Sequence, residues 1–94
     1  MIEHMCKAYK DTLAKLSADY HDWQHTAEDR QQCIASGMKS LTVTMTPEEM
    51  AIAYCDEMHS QFHWYSWEQV DPIARTNMTT AFEAVKQEMV NYAL

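Results

Sequence analysis

Apolar residues in the first third of the chain recur at alternating steps of four and three: Ile2, Cys6, Tyr9, Leu13, Leu16, Tyr20, Trp23, Ala27 and Ile34, with Arg30 the one charged member. That spacing is a heptad seam. The positions facing away from it carry Lys7, Lys10, Asp11, Lys15, Asp19, Asp22, Glu28 and Asp29. One apolar stripe with a charged back predicts a single amphipathic helix over about 2–35. A helix of that length needs cover along its whole seam. Either two later helices pack along it or a second copy of the chain does.

The pattern breaks at Ser36-Gly37, a helix stop, and Leu41-Thr42-Val43-Thr44-Met45 is β-branched and extended in character. No other segment offers this stretch a strand partner. It is read as a connector over 36–46 that packs Leu41 and Val43 onto the helices. Thr46-Pro47-Glu48-Glu49 then has the form of a helix start: Thr46 as N-cap, Pro47 in the first helical position and Glu49 closing a capping box. Met50, Tyr54, Met58, Phe62 and Tyr65 supply an inward face, so the helix is expected to reach about Trp67. Asp71-Pro72 repeats the start signal. The third helix then presents Ile73, Met78, Phe82, Val85, Met89 and Tyr92. A short loop between the last two helices makes residues 47–92 an antiparallel hairpin. The expectation is therefore an all-α, three-helix protomer, a single helical domain over 1–94, that assembles as a homo-oligomer.

Composition supports helices and restricts function. The 94 residues include one Gly and two Pro, with 47% hydrophobic residues, which suits long regular elements and leaves little for tight turns. No run of about twenty apolar residues is present, and the mixed, charged N-terminus does not read as a signal peptide; the expected location is the cytoplasm. Cys6, Cys33 and Cys55 form no CxxC pair and read as small buried hydrophobes rather than a disulfide framework. The formal charge of −7 argues against DNA binding, which draws on a basic surface. The charge is uneven: residues 1–40 hold five Lys or Arg against six Asp or Glu, and residues 41–94 hold two against eight. An anionic ligand would have to be held by the first helix or by Arg75, the lone Arg of the acidic half.

Four constellations bear on chemistry. His21 with His25, and His59 with His63, are HxxxH pairs that place two imidazoles on one helix face; the same spacing suits surface or interface histidines, and no metal is assigned. Cys55 and His59 share the four-residue spacing of a nucleophile and its base, but no Gly-rich oxyanion turn or orienting residue accompanies them. Glycine-rich phosphate loops are impossible with Gly37 alone. No catalytic residue and no cofactor is expected. In Phe62-His63-Trp64-Tyr65-Ser66-Trp67 four large rings crowd one helix end, more than a small core holds. Phe62 and Tyr65 are read as inward, with Trp64 and Trp67 over the hairpin turn or at a subunit contact; the functional alternative is a stacking surface for a planar ligand or a hot spot for a protein partner. Arg75-Thr76-Asn77 near a helix N-terminus makes a chemically sensible anion grip; a local pairing of Arg75 with Asp71 or Glu68 is the structural alternative.

Residues 70–85, VDPIARTNMTTAFEAV, resemble the C-terminal helix of the helical-hairpin family of phage anti-defence proteins, among them the anti-CBASS cyclic-oligonucleotide sponge and the hairpin of an anti-Thoeris sponge. That helix reads apolar-Gly/Ala-Arg-Thr-Asp/Asn-apolar-x-x-Gly/Ala-Phe-x-Ala. Pro47-Glu48-Glu49-Met50-Ala51 is similar to the opening of the family's preceding helix. The likeness covers roughly residues 46–92. It implies a compact helical oligomer, commonly a hexamer, that binds cyclic di- and trinucleotides in the host cytoplasm without cutting them, so that the effector is not switched on. It further implies Arg75, Thr76 and Asn77 at a phosphate-contacting pocket, and an aromatic and a lysine of the first helix clasping the ligand. No motif aligns that helix; Tyr9, Lys10 and Lys15 are its candidates. The alternative from the residues alone is a small acidic helical protein that inhibits a host protein through its exposed aromatic surface.

Overall fold

The computed structural model describes residues 1–16 and 34–93, and these are all-helical: α1 (Ile2–Leu16), a helical turn over 34–38, α2 (Pro47–Phe62), a 3-10 turn η1 (Trp67–Gln69) and α3 (Pro72–Ala93). No strand occurs among the described residues. No helix among them is long and apolar enough to cross a membrane. The seam positions from Tyr20 to Arg30, together with Cys33 and the His21/His25 pair, lie outside the described residues.

The single helix over 2–35 does not survive. Ile34 and Ala35 line the same cleft as Ile2 and Cys6, whereas an unbroken helix over 2–35 would hold its ends about 50 Å apart, more than the longest dimension of the molecule, 34 Å. α1 and the turn at 34–38 are separate elements lying side by side. The buried stripe of α1 is also simpler than a heptad seam. Met5, Tyr9 and Leu13 are fully covered at steps of four, Ile2 and Cys6 are half-buried, and Leu16 is 44% exposed. The chain covers its own stripe here, so this face does not require a second copy.

α1 packs most extensively along α3. Ring contacts give its direction: His4 meets Tyr92 at 5.0 Å between centroids, and Tyr9 meets Phe82 at 4.8 Å. The start of α1 therefore lies at the end of α3, and the two run antiparallel. Tyr54 of α2 closes the group, 5.2 Å from Tyr9 and 5.4 Å from Phe82. Around these rings Met50, Met58, Met78, Val85 and Met89 complete a methionine-rich core, an unbranched side chain suited to irregular gaps.

Both helix-start signals hold. Thr46 Oγ1 accepts from the Glu49 amide at 3.1 Å while Glu49 Oε1 accepts from the Thr46 amide at 2.9 Å, and those bonds hold the Glu49 carboxyl below its usual range. Asp71 Oδ1 accepts from the amides of Ile73 and Ala74, both at 3.0 Å. The end of α2 differs from expectation: it stops at Phe62, not Trp67. His63 adopts the left-handed conformation (φ 58°, ψ 31°), and its amide and that of Trp64 turn back to the carbonyls of His59 and Met58. This is the αL helix termination that glycine usually supplies. Tyr65 is thereby released from the helix face and is 68% exposed. Ile73 and Tyr92, expected inward on α3, are 75% and 51% exposed; Ala81 is buried instead. In the connector Leu41 is buried and Val43 is not.

Gly37 sits within the turn at 34–38 rather than ending a long helix. A Cβ there would lie 2.7 and 2.8 Å from two carbons of the Tyr54 ring and 3.0 Å from the Met58 sulfur. Because Tyr54 is held by Tyr9 and Phe82, the ring has little room to retreat. Gly37→Ala is expected to lower stability by about 1–3 kcal/mol through overpacking, read as a lower midpoint in urea or a melting temperature reduced by about 4–8 °C per kcal/mol. An unchanged midpoint would show that the ring moves freely.

Candidate ligand-binding site

Local sequence explains how α3 presents its N-terminal half. Pro72 occupies the first helical position, and Thr76, Thr79 and Thr80 follow on the same side at helical spacing. Each hydroxyl donates back to a carbonyl one turn earlier: Thr76 to Pro72 at 3.0 Å, Thr79 to Arg75 at 2.9 Å and Thr80 to Thr76 at 3.1 Å. A hydroxyl has one proton, so what these three threonines still offer outward is acceptor lone pairs.

Arg75 lies among them, half-buried. Its Nε donates to the Trp67 carbonyl at 3.0 Å, and its guanidinium carbon is 5.2 Å from the centroid of the Trp67 ring. The partner is thus Trp67 of η1 rather than Asp71 or Glu68. A bond through Nε combined with stacking fixes the plane of the guanidinium. Among the described residues the two terminal nitrogens make no hydrogen bond or ion pair. These elements wall an open cleft of about 440 Å³, lined by Trp67, Arg75 and the three threonines, with Glu48 from the start of α2 and Glu83 from α3 on its rim.

The structure brings together only part of the residue set expected from the sequence. Arg75 and Thr76 line the cleft; Asn77 is half-buried and is not among its lining residues. Tyr9 is wholly buried between Tyr54 and Phe82, so it is a core ring with no face to offer a ligand. Lys10 lines a different cleft, of about 240 Å³, beside Cys6 and Lys7. Lys15 is exposed. Lys7 is engaged by Asp11 at 2.6 Å, an exposed pair of small energetic weight. Glu48, Glu83, Thr79 and Thr80 were not singled out as site residues from the sequence, and Trp67 was singled out in the ring cluster but not joined to Arg75. The recurrence of Pro72, Thr76, Thr79/Thr80 and Glu83 on one helical face was available as a signal. The contribution of Trp67, from another element, was not.

His59, His63, Cys6 and Cys55 lie outside the Arg75 cleft. His59 Nδ1 donates to the Trp64 carbonyl at 2.6 Å, bracing the end of α2. His63 lies beyond that end, so His59 and His63 do not share a helix face. Among the described residues no group of three or more His, Cys, Asp or Glu is placed to hold a metal ion. Cys55 is buried, and burial pushes its thiol up to about 12, with Asp56 adding to the shift and Arg75 opposing it. Burial likewise raises the Cys6 thiol, against the pull of Lys10.

Compared with known proteins, the chain matches no family model, no curated protein and no solved structure.

A thiol titrating near 12 is almost entirely protonated at neutral pH and is a poor nucleophile. Iodoacetamide at pH 8, followed by peptide mass spectrometry, is expected to label Cys55 only after denaturant is added. Rapid labelling of the native protein would instead identify an activated thiol.

Proposed function

We infer that this chain is a non-catalytic binding protein that sequesters a cyclic oligonucleotide signal, in the manner of a phage anti-defence sponge acting in the host cytoplasm. The observation that carries this reading is the Arg75 guanidinium at the cleft, oriented by the Trp67 ring and carbonyl, with neither terminal nitrogen hydrogen-bonded among the described residues. Such a fork matches two oxygens of a phosphate, and its fixed orientation reduces the entropy lost on binding. The resemblance of residues 46–92 to the helical-hairpin family supports the same conclusion, with α2, η1 and α3 as its antiparallel hairpin. Thr76 is a second member of the site. On this reading the protomers associate, as a hexamer in the family pattern, and a neighbouring copy supplies the contacts that the open cleft of one chain lacks.

A second reading is favoured by one specific observation. Tyr65 and Ile73 are both largely exposed on either side of η1. Large exposed apolar side chains suit a protein contact, so direct inhibition of a host protein is the alternative. Its surface is Tyr65 rather than Trp64 and Trp67, which pack partly buried against the core.

Calorimetric titration with cyclic di- and trinucleotides separates the two. Binding, with intact ligand recovered after heat denaturation, is expected; cleaved ligand would indicate an enzyme, and no binding of any common cyclic signal would overturn the sponge reading. Arg75→Lys, which keeps the charge but loses the fork and the Nε bond, is expected to weaken binding at least tenfold with helicity retained by circular dichroism. Tyr65→Ala with Ile73→Ala should leave nucleotide affinity unchanged.

A further inference from the structure

The polar groups of the Arg75 cleft are unequal in kind, and the inequality restricts the ligand. On the donor side stand the terminal nitrogens of Arg75. On the acceptor side stand the three threonine oxygens, whose protons are engaged by the helix backbone, and the carboxylates of Glu48 and Glu83. No hydrogen bond or ion pair engages either carboxylate among the described residues. A ligand with several phosphates and no donors would meet one cation and two negative charges. A ligand with one phosphate at Arg75 and a donor-rich edge elsewhere on the same molecule satisfies both sides.

Among the nucleobases that edge belongs to guanine. Its N1–H and N2–H donors are adjacent and parallel, and together they match the two oxygens of a carboxylate, as an arginine fork does. Adenine presents its amino group beside the lone pair of N1, which a carboxylate repels. Uracil presents one N–H between two carbonyls. We propose that the cleft selects a guanine-bearing cyclic nucleotide, with phosphate on Arg75 and the Watson–Crick edge of guanine on Glu48 or Glu83. This rests on the sponge reading above and names the base its site takes. The acidity of this half of the chain then has a role at the site: it repels anions that bring no donors, which is selection by repulsion as well as by attraction.

The test compares cyclic di-GMP and cyclic di-AMP by calorimetry on the full chain, then on Glu48→Gln and Glu83→Gln, with helicity checked for each. A bidentate pair discriminates against the wrong base by about 10- to 100-fold, and that preference for the guanine ligand is expected in the unaltered protein. Glutamine replaces one acceptor by a donor, so one of the two variants should lose the preference while its affinity for cyclic di-AMP is equal or improved. Equal binding of the two ligands by the unaltered protein would overturn the guanine assignment and leave the sponge reading standing. So would a preference that persists in both variants, because the base would then be read elsewhere. No binding of either ligand, nor of any other cyclic di- or trinucleotide, would overturn the sponge reading itself.

Discussion

Tyr9, Tyr54 and Phe82 come one each from the three main helices and meet with centroids 4.8 to 5.4 Å apart and planes tilted by 40 to 56°. Tilted pairs of this kind contribute about 0.5–1.5 kcal/mol each beyond the area they bury. Their larger effect is on register. Each ring sits one or two turns from the methionines of its own helix, so fixing the three rings fixes how far α1 and α2 slide along α3. The turn at 34–38 is drawn in by the same group, because Gly37 approaches the Tyr54 ring more closely than any side chain would allow.

That register also places the two ends of α3. α1 starts beside Tyr92, at the C-terminal end of α3, and the first turns of α3 lie at the opposite end. Those turns are where Ile73 lies exposed, and where Arg75, Thr76 and Thr79 line an open cleft. η1 gives partial cover there by placing Trp67 against Arg75.

This arrangement also explains what could be read along the chain. Helix starts at Thr46 and Asp71 were legible because a cap is a bond between residues two or three apart, and the residue types alone specify it. Inner faces near the middle of α2 and α3 were legible for the same local reason. Periodicity failed at the ends. Tyr65 continues the spacing of α2 but lies past a left-handed residue, and His63 carries no glycine to announce it. Ile73 continues the spacing of α3 but sits in its first turn and is exposed. The stripe of α1 was read as a seam that a second copy could cover, because heptad spacing does not say which partner covers it. At the cleft, Arg75 and Thr76 stood out as an unusual pair in an acidic segment. Trp67 stood out only as one ring of a crowded cluster; its contact with Arg75 did not, because it depends on η1 turning the ring back across eight residues of chain.

Arg75 therefore serves two purposes through different atoms. Nε and the face of the guanidinium engage Trp67 of η1; the terminal nitrogens make no hydrogen bond among the described residues, and Arg75 lines the cleft. The division matters energetically. An arginine whose five donors were all satisfied by protein would be a structural residue, and one with none satisfied would lose side-chain entropy on every binding event. With one bond and one ring already made, the fork is oriented before a ligand arrives. It lies in the same N-terminal turns of α3 where Ile73 is exposed and where the threonines line the open cleft.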